Sequence, residues 1–239
     1  MKSLHGKTAF ITGATGGMGT EIALCLAREN VNLVLLGRDS AKLGRLKEAI
    51  KGISDAKVDV IRLDLGKNIE KEVHVVMDPE RNIDILIFAA GSVSPNEVEE
   101  GRGKVFEKQF NVNFFSTVSL IGGLLPRLKQ SKGQIVIISS SIIKNAKGNL
   151  SAYGASKHAL AGFTEALRYA VHPHGIRVMN VVPGRTATGM QEKLAQETDG
   201  TFNPDILIQP IDIATTVTQA LKLPYTAEIT DIFIRPMNK

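Results

Sequence analysis

The sequence predicts an α/β fold: one doubly wound domain whose central parallel sheet of about seven strands is covered by helices on both faces. Three observations predict it. Short β-branched and apolar runs alternate with longer stretches that carry apolar residues at helical spacing. No linker, internal repeat or low-complexity segment interrupts the alternation, so one domain is expected over residues 1–239. A glycine-rich turn, Thr12-Gly13-Ala14-Thr15-Gly16-Gly17-Met18-Gly19, joins the first strand to the first helix.

Taken in order, Thr8 to Ile11 reads as the first strand, and Glu21 to Glu29 as a helix with Ile22, Leu24 and Leu26 at helical spacing. Val31 to Leu36 is a buried strand. Ser40 to Ile50 is a helix that Asp39 or Ser40 is placed to cap, because a short side-chain oxygen can accept from the free amides of the first turn. Val58 to Leu63 is the third strand, followed by a helix over about 68–77. Ile83 to Phe88 is nearly all apolar, as a strand covered on both faces must be. A long helix, with room for a break, spans about 103–129. Ile135 to Ser139 is the fifth strand, Ala152 to Val171 a long helix and Arg177 to Val182 the sixth strand. Ile211 to Leu221 is a helix and Ile229 to Ile234 the last strand. The polar stretch Gly189 to Pro204 has no clear periodicity, which makes a substrate loop or lid around 185–209 the natural expectation.

Composition narrows the function classes. The net charge of +5 invites a nucleic-acid reading, but Lys42, Arg45, Lys47, Glu48 and Lys51 show how basic residues interleave with acids. With 5% aromatic residues and no Trp, no basic stripe with stacking residues exists, so no nucleic-acid partner is expected. A mild basic excess suits a phosphorylated cofactor or an anionic substrate better. The single cysteine, Cys25, cannot form an intramolecular disulfide, which fits a reducing compartment. The N-terminus carries no signal-peptide core, and no apolar run approaches the ~20 residues of a membrane helix. A cytoplasmic protein without a membrane partner is expected. His172 and His174 flank Pro173 after a helix; no acidic or cysteine cluster accompanies them, so no metal is expected.

The glycine turn carries chemistry. Glycines there permit a tight turn and a close backbone approach to a pyrophosphate, while the helix N-terminus supplies amide donors. The end of the second strand discriminates between cofactors. An acid would hold the ribose 2′-hydroxyl of NAD, whereas an arginine suits a 2′-phosphate. The chain reads Leu36-Gly37-Arg38-Asp39, so Arg38 favours NADP(H), with NAD(H) as the alternative. Tyr153 and Lys157 stand four positions apart on a helix, about one turn, and so share a face. A fixed cation nearby favours the phenolate, which would bring Tyr153 toward acid–base work near neutral pH. That spacing alone would equally suit a surface pair. Ser140 lies thirteen residues upstream at the end of a strand, within Ser139-Ser140-Ser141, and the interval to Tyr153 selects the middle serine.

Taken together, these residues resemble the short-chain dehydrogenase/reductase family over almost the whole chain. The resemblance implies a Rossmann-like fold and a small-molecule carbonyl or alcohol substrate. Its glycine motif falls on Thr12, Gly13, Gly17 and Gly19, with Thr15 and Met18 in the same turn. Its acidic residue near the adenine matches Asp64, followed by Leu65, and its helix asparagine matches Asn113. Its serine, tyrosine and lysine fall on Ser140, Tyr153 and Lys157. Its Pro-Gly stretch matches Pro183, Gly184, Thr186 and Thr188, with Thr188 as the nicotinamide carboxamide contact. The resemblance implies that Tyr153 exchanges a proton with the substrate oxygen, that Ser140 orients that oxygen, and that Lys157 lowers the phenol pKa and binds the nicotinamide ribose. Asn113 would hold a water that relays protons to Lys157. Where the family has Asn-Asn-Ala-Gly, this chain has Phe88-Ala89-Ala90-Gly91; Ala90 and Gly91 still permit backbone approach to the ribose. The end, Ile234-Arg235-Pro236-Met237, resembles a mostly NADP-linked subset. A non-catalytic NADP(H)-binding sensor is the rival reading, which the intact Ser140, Tyr153 and Lys157 oppose. Substrate loops are expected near Ser92 to Glu99, Ile142 to Leu150 and Arg185 to Gln209. Assembly as a homodimer or homotetramer through the two long helices is implied by resemblance.

Overall fold

The computed structural model describes residues 2–67, 76, 82–96, 98, 103–198 and 200–237. Seven strands are β1 (Thr8–Thr12), β2 (Asn32–Gly37), β3 (Val58–Arg62), β4 (Ile85–Phe88), β5 (Gln134–Ile138), β6 (Arg177–Pro183) and β7 (Asp231–Ile234). Between them come α1 (Gly17–Arg28), α2 (Ser40–Lys51), α3 (Lys104–Phe110), α4 (Ser116–Ser131), α5 (Ser151–Val171), α6 (Gly189–Glu197) and α7 (Pro210–Leu221). The strands form one sheet in the order β3-β2-β1-β4-β5-β6-β7, and every adjacent pair is parallel. The predicted α/β architecture is therefore observed.

The period of two along each strand explains why both faces are covered. Ile11, Leu35, Ile87, Val136 and Val181 point to one face, against Ile22 and Leu26 of α1 and Ile213 and Val217 of α7. Phe10, Val34, Leu86, Phe88, Ile137 and Val178 point to the other, against Leu120 and Leu124 of α4 and Leu160 and Leu167 of α5. The chain turns outward in opposite directions from β1 and β4, which are neighbours in the sheet. In such sheets the crevice beyond the carboxyl ends of those two strands is where ligands bind.

Two boundaries differ from the sequence reading. The long helix over 103–129 is two helices separated by a π-helical stretch, Asn111–Phe115, in which the Ser116 amide bonds to the Asn111 carbonyl five residues back. The stretch after Thr188, expected as an aperiodic loop, contains α6. Only Ala195 of that helix is buried, so no apolar stripe marked it, and Thr188 starts it by accepting from the Gln191 amide at 3.3 Å. Asp39, by contrast, caps α2 as expected, accepting from the Lys42 amide at 3.0 Å. The helix expected over about 68–77 falls mostly outside the described residues. Among the described residues no helix is long and apolar enough to cross a membrane, and no group of three or more His, Cys, Asp or Glu side chains converges to hold a metal.

Ile11 is fully buried between β2 and β4. Ile11→Ala should lower the unfolding free energy by about 2–5 kcal/mol, read from the shift of the urea midpoint.

Candidate active site

The crevice at the carboxyl edge begins with the glycine turn. Gly13 takes φ +65°, a left-handed conformation, and a Cβ there would stand 2.6 Å from the Ala90 Cα. Only glycine lets the β1 turn lie against the end of β4 in this way. The Thr12 hydroxyl bridges the same two strands, accepting from the Ala90 amide at 3.4 Å and donating to the Ile87 carbonyl at 3.5 Å. On the other side, a Cβ at Gly17 would stand 2.7 Å from the Thr188 methyl, so the turn meets the loop after β6. Met18 packs at the margin of the first core face, and the Thr15 hydroxyl lies near Gly37 at the end of β2.

At the β2–β3 corner, Arg38 is exposed. Asp39 spends its carboxylate on the α2 cap, and hydrogen bonds from the Lys42 and Ala41 amides hold its carboxyl below the usual range. Asp64 accepts from the Gly66 amide at 3.0 Å, and Leu65 beside it is buried.

Ser140, Tyr153 and Lys157 come together at the end of β5. Ser140 starts a short 3₁₀ turn, Ser141–Ile143, accepting from the Ile142 amide at 3.3 Å. Its hydroxyl faces the Tyr153 phenol closely enough to draw the phenol's pKa down. Ser139, the neighbour that sequence spacing set aside, is buried and its hydroxyl has no partner among the described residues. One turn along α5 from Tyr153, Lys157 is only 3% exposed, and its ammonium donates to the Ile138 carbonyl at 3.0 Å. The ammonium lies 6.0 Å from the centre of the Tyr153 ring.

The electrostatics differ from the expectation that Lys157 draws the phenol down. Tyr153 is half-buried, and desolvation by the surrounding protein is the largest influence on it, pushing its pKa above the ordinary value of 10.0; the Ser140 hydroxyl pulls the other way, and Lys157 is not among the causes. Burial also disfavours the charge on Lys157, whose pKa falls from 10.5 to about 8.

Asn113 is fully buried within the π-helical stretch rather than on a helix surface. Its Oδ1 accepts from the Ser92 amide at 2.8 Å. Its Nδ2 faces the Ser92 carbonyl at 3.0 Å, the Gln109 Oε1 at 3.1 Å and the Ser156 hydroxyl at 3.0 Å. The side chain is thus occupied by protein groups. Ser156 in turn donates to the Tyr153 carbonyl at 2.8 Å, so Asn113 braces the turn of α5 that presents the phenol. A Cβ at Gly91 would stand 3.4 Å from the Asn113 Oδ1 and 3.8 Å from the Lys157 ammonium, which places the end of β4 on the same crevice. Ser92, Gln109 and Ser156 were not foreseen. Only the burial of a polar residue one turn before Asn113 would have signalled Gln109, and burial is not visible in sequence.

The wall after β6 is tied to β7. Pro183 pairs with Ile234, and the Gly184 amide donates to the Ile234 carbonyl at 2.8 Å. Thr186 donates to the Gly184 carbonyl at 3.1 Å and is buried. Thr188, expected to meet the cofactor, uses its oxygen to cap α6, which leaves the hydroxyl proton for a further acceptor.

The family model for the short chain dehydrogenases matches residues 7–199. The chain belongs to that family. Among its relatives, an uncharacterized oxidoreductase of Staphylococcus saprophyticus is 31% identical over 240 residues, covering 99% of this chain and all of that protein. A glycine betaine reductase of Emericella nidulans is 30% identical over 246 residues, again 99% of this chain but 19% of that larger protein. The fold matches an alcohol dehydrogenase from Thermococcus sibiricus complexed with 5-hydroxy-NADP, with a TM-score of 0.85 at 23% identity over 98% of this chain and 97% of that one. An actinorhodin polyketide ketoreductase with NADPH matches equally, with a TM-score of 0.85 at 23% identity and the same coverage. This short chain dehydrogenase is an oxidoreductase of a family that uses nicotinamide cofactors, and its crevice fits one: the cradle at Gly13 and Gly17 has no room for side chains, and the Lys157 ammonium lies beside Gly91 at the end of β4.

The lysine titration has a consequence for stability. The folded pKa of about 8 lies below the unfolded value of 10.5, so the unfolded chain binds more protons and stability rises with pH across that window. Below pH 8 the cost is fully present, at roughly 3 kcal/mol for a shift of this size. Lys157→Met should therefore stabilise the cofactor-free protein at pH 7, and the advantage should shrink as the pH climbs from 8 past 10.5. Denaturant midpoints of both proteins across that range check this.

Proposed function

We propose that this short chain dehydrogenase is an NADP(H)-dependent carbonyl reductase or alcohol dehydrogenase, with Tyr153 as its general acid and base. The observation that carries the reading is the convergence of three side chains at the end of β5: the Ser140 hydroxyl facing the Tyr153 phenol, with the Lys157 ammonium buried one turn below. When bound, the nicotinamide supplies or accepts the hydride. The chain's own residues handle the oxygen and the proton. Ser140 holds the substrate oxygen by a hydrogen bond, and Tyr153 gives that oxygen its proton. Desolvation favours the protonated phenol, so the resting site presents Tyr153 as a proton donor. Lys157 holds the ribose hydroxyls and, through them, the position of the ring. Asn113 keeps the start of α5 in place through Ser156.

Cofactor preference is read from Arg38, whose exposed guanidinium stands at the end of β2 with no ion pair among the described residues. The 5-hydroxy-NADP of the Thermococcus enzyme and the NADPH of the ketoreductase agree with that reading. The substrate would enter between the loops after β4, β5 and β6. We also propose a homodimer or homotetramer formed through α4 and α5. Phe115, half exposed at the start of α4, and Tyr169, mostly exposed on α5, are the apolar surfaces such a contact would cover.

Two measurements check the proposal. Tyr153→Phe should lower kcat by about 10²–10⁴-fold while leaving NADPH affinity nearly unchanged, in a turnover assay over ketones, aldehydes, sugars and acyl thioesters. Retained turnover would sink the mechanism. Arg38→Ala should lower the ratio of NADPH to NADH affinity; an unchanged ratio would exclude Arg38 as the determinant.

A further inference from the structure

A second arginine stands beside Arg38. β3 runs parallel to β2 with Gly37 opposite Arg62, so both strands end at one corner of the sheet. Arg62 is the last residue of β3, and its Nε donates to the Arg38 carbonyl at 3.3 Å. That bond lays the Arg62 stem across the end of β2. Its two terminal nitrogens have no partner among the described residues, and its side chain is exposed like that of Arg38. Neither guanidinium forms an ion pair among the described residues. The adjacent acid Asp39 faces the α2 amides instead.

We propose that Arg62 is a second cation for the 2′-phosphate of NADP(H), and that it sets cofactor choice jointly with Arg38. The inference rests on the NADP(H) reading above. A phosphate monoester carries about −1.5 to −2 charges at neutral pH, more than one guanidinium balances. The glycine turn Thr12 to Gly19 contains no cation to make up the difference. The free pair of terminal nitrogens on Arg62 is the part of a guanidinium that matches two phosphate oxygens side by side. The bland alternative is that Arg62 only ties the end of β3 to β2 through its Nε. Ligands that differ in one phosphate separate the two.

The test is calorimetric binding of 2′,5′-ADP and 5′-AMP to the full chain and to Arg62→Gln, Arg62→Lys and Arg38→Ala. The unmodified chain should bind 2′,5′-ADP more tightly than 5′-AMP. Arg62→Gln should weaken 2′,5′-ADP about tenfold, the loss of one charge-assisted hydrogen-bonded contact, and leave 5′-AMP alone. Arg62→Lys, which keeps the charge but not the fork, should recover part of that loss; a lysine no better than glutamine would contradict the electrostatic role. Equal weakening of both ligands, or of neither, would overturn the proposal and leave Arg62 as a strand tie. If discrimination survives Arg62→Gln but collapses in Arg38→Ala, Arg62 falls and the NADP(H) reading stands. If the unmodified chain does not discriminate, both fall.

Discussion

An ammonium buried to 3% exposure at the edge of a parallel sheet is costly unless its surroundings give it partners, and Lys157 has one donor on the Ile138 carbonyl with two more to place. That constraint shapes its neighbours. The end of β4 must pass close by, so Gly91 stands there without a side chain between the ammonium and Asn113. The segment leading to α4 must turn the Asn113 amide inward, and it does so by widening one helical turn into a π-helical stretch, a distortion frequent at functional sites. A bound ribose, with its two hydroxyls, is the kind of group that would complete the lysine. The stability given up in the free protein is then recovered on binding, which couples the affinity of the site to its strain.

The phenol above this lysine lives under a different influence. Desolvation of the half-buried ring holds its proton on, and the Ser140 hydroxyl facing it opposes that influence. Serine, tyrosine and lysine sit on β5, its following turn and α5, so their relative positions are fixed by the packing of α5 on the sheet through Leu160 and Leu167. The brace from Asn113 through Ser156 to the Tyr153 carbonyl adds a second fixed point on the same turn. A rigid scaffold below and three loops above is an arrangement that holds the proton chemistry constant while loop residues vary the substrate.

The fold was legible in sequence because each strand carries an apolar run and each core helix a stripe, signals that survive without three-dimensional context. The site was legible through residues whose chemistry is scarce: a tyrosine and lysine one turn apart, a serine at a strand end, glycines between a strand and a helix. What sequence concealed depends on burial and on local backbone geometry. α6 buries only Ala195, so its helix left no stripe to read. The π-helical stretch at Asn113 adds no residue type that a regular helix would refuse. Gln109 and Ser156 read as helix-surface polar residues until their burial is known. The direction of the Tyr153 shift was misjudged because spacing brings Lys157 to the same face but does not say that its ammonium is turned to Ile138.

The central claim is that the free protein keeps Tyr153 as a proton donor by burial, with Ser140 as the counterweight. Carbon-13 NMR of ring-labelled tyrosine measures this directly, since the chain has three tyrosines and Tyr153→Phe assigns the resonance. The account predicts a phenol that titrates above 10 in the cofactor-free protein and still higher in Ser140→Ala. A phenol titrating at or below 10, or one indifferent to the loss of the Ser140 hydroxyl, would contradict it.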